Sequence, residues 1–496
     1  MINSVTSSNK YDSLIKIWES LPSPYGEAPL ENNFVTPMLN LLGITLREKV
    51  QNPLLGAGAG LKPDYLIWPS GVDASDLTGN PPNVPPILVI EDKARDSNLA
   101  KVNDADFVDK CKEHKDYLSA TQGKVSGLND NGLKQYLDAS NPNIDVNRLA
   151  SYGLAFNGDF FQLWRRVDGL IFPLTPIQRM NAKTIPVLMR QLEYVLQNPQ
   201  PALVTAVWNR KGGVAKTTNT LNIGSMLALK GKKVLFLDLD TQTDLTRSFK
   251  INSDKYPPYL IQCIKDIHAN KIEDAFNLAT KNIVSRRLKN TKGDIFSIDI
   301  FPSNPKELEQ FKDPQSHTTS TSTSTIDTSQ VQKIKILKKL IDCFKDSYDY
   351  IFIDASPSKD PLMVAMLLTV DTILIPTDYS KKTLFHAVDL YQKDIPLLRE
   401  SNAKKDPLGI KPWNLGLVFS NCPGDAGSQL ETCIQKELSS HNFKGIQRKT
   451  RLKIYAQTKI SEFQHLPVVC WSNSQITKLY EDLVHEVFLN HNFINH

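Results

Sequence analysis

The two halves of the chain carry different hydrophobic patterns. From residue 203 onward, short apolar runs alternate with helical stretches. The runs are Leu203–Trp208, Val234–Leu237, Tyr350–Ile353, Thr372–Ile375 and Leu415–Phe419, and helical spacing between them is found at Thr220–Leu229 and Val331–Cys343. Apolar runs of this length, spaced by helices, predict buried strands of a parallel sheet covered on both faces. The earlier half is mixed. Glu31–Leu42, Asn103–Ser119 and Gly132–Leu137 have helical spacing, Tyr65–Trp68 and Ile87–Ile90 predict short strands, and Tyr152–Phe156 with Phe160–Trp164 predicts a hairpin around Asn157-Gly158-Asp159. The segments Ser70–Pro86, rich in Pro and Gly, and Thr318–Ser329, a Ser/Thr tract, predict loops. The pattern therefore predicts a smaller mixed α/β domain over 1–195, a Pro-marked junction over 196–202, and a larger α/β domain over 203–496 with helices flanking a parallel sheet.

The strongest chemical signal lies between the run Leu203–Trp208 and the following helical stretch. Residues 211–218 read KGGVAKTT. Gly212 and Gly213 allow a turn whose backbone N–H groups face a polyphosphate, and the helix that follows presents its positive end to the same anion. Val214, Ala215 and Thr218 complete the phosphate-binding loop. Lys216 supplies an ammonium for the β- and γ-phosphates, and Thr217 a hydroxyl for Mg²⁺. Two further carboxylate segments follow strand candidates: VLFLDLDTQTDLT at 234–246 and DYIFIDASP at 349–357.

A loop opened by a second lysine, Lys211, resembles the hallmark of the ParA/MinD (Soj-like) deviant Walker ATPases, a branch of the P-loop NTPases. The segment from Asp238 is similar to that family's DxDPQ motif, with Thr241 in place of Pro, and the strand ending at Asp354 resembles its Walker B strand. The resemblance covers about residues 203–490. It implies ATP as substrate, Mg²⁺ as cofactor and an ATP-dependent homodimer in which Lys211 reaches the partner's phosphates. It also implies Asp240 orienting the attacking water, Asp238 and Asp354 at the metal, and Asn421, in Ser420-Asn421-Cys422-Pro423, at the adenine. DNA is the implied partner, with a ParB-like centromere-binding protein as a further one.

In the first half, Asp64 stands at the start of one strand candidate and Glu91-Asp92-Lys93 at the end of the next. Two acids can hold a divalent cation through hard oxygen ligands, and a lysine beside them can orient water or steady a phosphate, a set suited to metal-assisted phosphodiester hydrolysis. This arrangement resembles the PD-(D/E)xK nucleases, more narrowly the restriction-endonuclease-like N-terminal domain of type I restriction motor subunits, over about residues 25–175. The resemblance implies Asp64, Glu91 and Glu31 as ligands of Mg²⁺ or Mn²⁺ and Lys93 as the catalytic lysine.

Composition changes this picture little. The chain has 496 residues, a net charge of +5 and 41% hydrophobic residues, an ordinary globular balance. Its six cysteines are too scattered for a zinc ribbon or a redox pair. The opening Met1–Lys10 is polar, and His491–His496 is too short for an amphipathic membrane helix. These features predict a cytoplasmic protein without a membrane partner, and the ParA/MinD resemblance implies that it is nucleoid- or plasmid-associated. Two stretches, Lys281–Lys292 and Lys444–Lys453, each hold five cations and no acid. The second falls near the position where the ParA-type family carries DNA-binding cations, so the resemblance implies a DNA-binding surface through Arg448, Lys449 and Arg451.

Overall fold

The computed structural model describes residues 10–55, 61–77, 81–122, 132–141, 144–311, 336–357, 361–403, 411–423, 428–440, 446–490 and 492–494. The tract Thr318–Ser329 lies outside these residues, as does the start of the predicted helix Val331–Cys343, which is helical over 336–342. The chain forms two compact units, residues 1–199 with 403–410 and 488–496, and residues 200–402 with 411–487.

The first unit is built on one mixed sheet. Its strands are β1 (Lys49–Gln51), β2 (Tyr65–Ile67), β3 (Leu88–Asp92), β4 (Tyr152–Phe156), β5 (Phe160–Val167) and β6 (Leu170–Pro173), in that spatial order, with β7 (Gln178–Arg179) paired to β5. Only β3 and β4 of this series run parallel. The sheet is completed by the strand Asn492–Phe493 beside β6. The sequence pattern placed residues 488–496 with the second domain; the backbone of Asn492–Ile494 instead pairs here, through Asn492 N–H to Gly169 O and Ile494 N–H to Ile171 O, both 2.8 Å.

Side chains alternate across this sheet, as the pleat requires. Leu88 and Ile90 join an apolar layer with Phe34, Met38 and Leu192, whereas Val89 joins the opposite layer with Trp68, Tyr117, Tyr136 and Trp164. Two predicted helices are interrupted. Glu31–Leu42 begins as a π-helical turn over Glu31–Val35 before the α-helix Thr36–Leu41. Asn103–Ser119 is divided into Phe107–Glu113 and Lys115–Thr121 by His114, whose extended backbone (φ −77°, ψ 138°) caps the second helix.

The second unit is an eight-stranded sheet. Its strands are β8 (Leu203–Val207), β9 (Val234–Leu239), β10 (Val284–Lys289), β11 (Ile295–Phe301), β12 (Tyr350–Ala355), β13 (Thr372–Thr377), β14 (Trp413–Cys422) and β15 (Gln447–Lys453). Spatially the order is β10-β11-β9-β12-β8-β13-β14-β15, all parallel except the β10–β11 pair. The five predicted runs are its five central strands, buried on both faces, which is why they read as continuous apolar segments. The helix Lys216–Leu229 lies on this sheet, and a Cβ at Gly224 would stand 2.5 Å from the Phe236 ring, so a glycine permits the close approach. Among the described residues no helix is long and apolar enough to cross a membrane.

Candidate functional site

The loop 208–215 joins the end of β8 to the helix Lys216–Leu229. Gly213 (φ 79°) and Ala215 (φ 63°) take left-handed backbone conformations, which turn the chain tightly ahead of the helix. Asn209 braces the turn: its Oδ1 accepts from Lys211 N–H at 3.1 Å and its Nδ2 donates to Pro376 O at 2.8 Å. The Lys216 side chain is buried, and its ammonium donates to Lys211 O at 2.9 Å, inside the curl of the loop. Burial lowers the Lys216 pKa, while Asp354 and Asp240 act in the opposite sense. The Lys211 side chain is half-buried and has no hydrogen-bond or ion-pair partner among the described residues. Gly212 and Gly213 are exposed, Val214 is buried, and Thr218 is half-buried.

Strand register brings the acids to this loop. Asp354 of β12 pairs directly with Asp238 of β9, and both are fully buried. Thr217 Oγ1 donates to Asp354 Oδ2 at 2.7 Å, and Asp354 Oδ1 has no partner among the described residues. Burial, then the neighbouring Asp238, raises the Asp354 pKa well above the carboxylate range. An orphaned buried acid oxygen beside a threonine hydroxyl and a lysine fits a hydrated Mg²⁺ site. Asp238 is differently employed. Its Oδ2 accepts from Thr246 N–H and Oγ1, both 2.8 Å, and its Oδ1 from Asp240 N–H at 3.2 Å, so it holds the turn that carries Asp240. Burial pushes Asp238 up to about 7. Asp240 is half-buried and accepts from Gln242 N–H at 3.0 Å. Asn421 (φ 54°) follows β14's buried run and donates to Gly213 O at 3.3 Å, bringing it to the loop. Behind it, Asn219 links Ser420 Oγ and Tyr480 Oη, each at 2.8 Å.

In the first unit the four sequence-selected residues converge. Lys93 Nζ lies 2.7 Å from Glu91 Oε1, 2.6 Å from Asp92 O and 3.4 Å from Glu27 Oε1. Asp64 Oδ2 accepts from Asp92 N–H at 2.6 Å. Glu31, on the π-helical turn, accepts from Gln51 Nε2 at 3.0 Å, and its pKa is raised by burial, Asp64 and Glu27. Burial pushes Glu91 up to about 8 against the pull of Lys93, with Asp64 adding to the rise. Two acids were missed in the sequence. Asp92 occupies the middle position of the Glu91-x-Lys93 triplet and is fully buried; Glu27 stands just before the Glu31 turn. Strand alternation was the available signal for Asp92, because it sets residues 91 and 92 on opposite faces.

In the basic stretch Lys444–Lys453, the selected residues differ in how they are engaged. Lys444 and Gly445 lie outside the described residues, and Gln447–Lys453 is the edge strand β15, whose pairing with β14 is shifted between Leu417 and Phe419. Two of the three selected residues, Arg448 and Arg451, make contacts within the protein. Arg448 Nε donates to Leu415 O, and burial lowers its pKa. Arg451 donates to Glu431 at 3.0 Å and Gln447 at 3.1 Å, its guanidinium 4.5 Å from the Phe419 ring centroid. Lys449 and Lys453 are the exposed cations of the strand. The other basic stretch forms the opposite edge, β10, with Arg287 and Lys289 exposed and Arg286 donating to Ser248 O at 2.9 Å. Cations on both edges also protect the sheet from pairing with another chain.

Comparison with known proteins bears on the second unit. The AAA domain family matches residues 202–404. The sporulation initiation inhibitor protein Soj of Bacillus subtilis is 28% identical over 178 residues, 35% of this chain and 57% of that protein. The uncharacterized protein MJECL24 of Methanocaldococcus jannaschii is 30% identical over 230 residues, 44% of this chain and 73% of that protein. An ATP complex of McdA from Cyanothece superposes with a TM-score of 0.45 at 18% identity, covering 60% of this chain and 100% of that one. The chain spans about half the length of the curated relatives it matches first. With this loop, these strand-end acids and these relatives, the chain belongs through its C-terminal half to the ParA/MinD-like P-loop ATPases.

Proposed function

We propose that the protein is an ATP-hydrolysing, ATP-dimerising DNA-binding protein of the ParA type, joined to a metal-dependent nuclease domain and acting in DNA partition or mobile-element maintenance. The observation that carries the first part is the Lys216 ammonium held inside the loop on Lys211 O, with Thr217 bonded to Asp354 beside it. A polyphosphate entering the loop offers that ammonium stronger, charged acceptors than a carbonyl. Thr217 and Asp354 are the residues that hold Mg²⁺, with Asp238 behind them fixing the turn. When bound, Mg²⁺ neutralises charge on the β- and γ-phosphates. Asp240 orients the attacking water. Lys211, whose ammonium has no partner within the described chain, serves a second copy's phosphates, where added positive charge stabilises the transferring group. Asn421 sits against Gly213 and takes the adenine side. DNA is held by exposed lysines, Lys449 and Lys453 among them, and a ParB-like centromere-binding protein is the expected regulator. ATP binding and turnover by purified protein, wild type against Lys216→Ala, test this reading; unaltered nucleotide affinity in the variant refutes it.

A second reading is favoured by the contact of Lys93 with Glu91 beside Asp64. Here the N-terminal unit cuts DNA with Mg²⁺ or Mn²⁺, as a defence or restriction nuclease gated by ATP-driven dimerisation. Asp64, Glu91 and Glu31 supply the carboxylates, and Lys93 steadies water or phosphate. Cleavage assays with and without ATP, on wild type and Lys93→Ala, decide it; cutting that persists unchanged in Lys93→Ala refutes the nuclease.

A further inference from the structure

The acids of the first unit are more numerous than the nuclease motif uses. Five carboxyls, those of Glu27, Glu31, Asp64, Glu91 and Asp92, lie near one another, and the Lys93 ammonium reaches Glu91 and Glu27. Glu91 is tied to that ammonium at 2.7 Å. Asp92 is not: it is fully buried, its carboxylate oxygens find no donor among the described residues, and the group beside them is the Asp64 carboxyl, with which Asp92 could only share a proton. Glu27, Asp64 and Asp92 each present an oxygen, and these three oxygens all lie within 4.8 Å of one another. A buried carboxylate without donors is costly, and bringing two more carboxylates against it adds repulsion. A hard divalent cation removes both costs, because oxygen ligands are what such an ion requires.

We infer that Glu27, Asp64 and Asp92 form the divalent-cation site of the N-terminal unit, with Asp92 as its buried ligand and Glu91 serving to position Lys93. The inference rests on the metal-dependent reading of this unit and changes which carboxylate carries the metal. Opposite faces of β3 separate the two roles. Asp92 shares the face of Leu88 and Ile90, Glu91 the face of Val89. Asp64 serves the Asp92 side, fixed by the N–H of Asp92 itself. The exposed Glu27, with 44% side-chain exposure, gives the ion an entry from solvent. Two or more water molecules complete the shell of a Mg²⁺ or Mn²⁺ ion held by three carboxylates.

The test is titration of nucleotide-free, full-length protein with Mn²⁺ by calorimetry, comparing wild type with Asp92→Asn, Glu27→Gln and Glu91→Gln. Asp92→Asn is expected to weaken Mn²⁺ binding at least about tenfold and Glu27→Gln several-fold, with Glu91→Gln changing it less than about threefold. Mn²⁺ affinity indifferent to Asp92→Asn, or lost equally with Glu91→Gln, overturns the assignment and leaves Asp64 and Asp92 as a proton-sharing pair. If Asp92→Asn does not fold, Glu27→Gln decides, since that side chain is exposed: unchanged affinity there overturns the site. Nicking of supercoiled DNA by the same proteins separates this inference from the nuclease reading. Asp92-dependent Mn²⁺ binding without nicking by the wild type keeps the site and removes the nuclease. Nicking abolished by Asp64→Ala, with Mn²⁺ affinity indifferent to Asp92, keeps the nuclease and removes the site.

Discussion

The nucleotide loop and the acidic cluster both bury charge, but with opposite polarity and opposite bookkeeping of hydrogen bonds. Around the loop, the Lys216 ammonium lies inside the curl and most acid oxygens behind it are supplied with donors: Thr217 for one oxygen of Asp354, whose other oxygen stays unpartnered among the described residues, and Thr246 with the Asp240 amide for Asp238. In the N-terminal cluster, carboxylates face inward and donors run short, so that Asp92 and one oxygen of Glu91 stay unpartnered among the described residues. A site with a surplus of donors suits an anion, and a site with a surplus of acceptors suits a cation. The two also differ in how they are assembled. The loop is one strand–turn–helix unit, whereas the cluster collects residues from three segments, at 27–31, 64 and 91–93.

The largest expected effect breaks the anion side of this contrast. Lys216→Ala should weaken ATP binding on the order of 100-fold, since a charge-assisted contact of up to about 3 kcal/mol is lost. Equilibrium binding of a fluorescent ATP analogue measures it. Asp240→Ala separates binding from chemistry. ATP affinity should hold while kcat falls at least about 100-fold, the scale of a lost water-orienting group; steady-state phosphate release beside a binding curve reads both. On the cation side, Asp64→Ala and Lys93→Ala should each abolish Mg²⁺-dependent nicking while leaving ATP turnover within about twofold, because additivity holds for independent sites. A plasmid-nicking gel and a phosphate-release assay on the same preparations check the pair.

Smaller effects sharpen the contrast between engaged and free cations. Lys449→Ala and Lys453→Ala should each lower the salt slope of DNA binding by about 0.9, one phosphate contact apiece. Arg448→Met and Arg451→Met should leave that slope unchanged; Arg448→Met should instead lower stability by about 1–3 kcal/mol, the cost of orphaning a buried carbonyl, and Arg451→Met by no more than about 1 kcal/mol, because its partner Glu431 is partly solvated. Fluorescence anisotropy across a salt series and urea melts distinguish the two pairs. A salt slope that falls with the arginines as well would return Arg448 and Arg451 to the DNA surface that the sequence suggested beside Lys449.

The buried carboxyl of Glu307 offers the smallest and most local test, because its acceptors are spent on Ile261 and Asn304 amides far in sequence from either site. Burial pushes its pKa up to about 7. A carboxyl whose folded value exceeds its unfolded value binds more protons when folded, so its contribution to stability falls as pH rises from about 4.5 to about 7. Glu307→Gln should flatten that part of the stability–pH curve, measured by urea melts at several pH values.

What the sequence by itself determined is what lies close along the chain. The phosphate loop was legible because a strand, a glycine turn, Lys216, Thr217 and a helix start occupy a single continuous stretch, and its backbone conformation follows from local glycine and helix geometry. The five central strands were legible because burial on both faces leaves an unbroken apolar run. Asp64, Glu91 and Lys93 were found as residue types at strand ends. Tertiary structure alone decided the rest. The edge strands β10 and β15 carry mostly polar residues, so their periodicity resembles a solvated loop until a neighbour supplies their hydrogen bonds. Whether an arginine on such a strand is free depends on partners far away, as Leu415 and Glu431 are for Arg448 and Arg451. The last residues joined the N-terminal sheet because β6 offered an open edge, which no local pattern encodes. Asp92 became the most deeply buried acid of its cluster because the pleat of β3 turned it away from Glu91 and toward Asp64 and Glu27, and the cost of that burial is set by the groups around it rather than by its place in the chain.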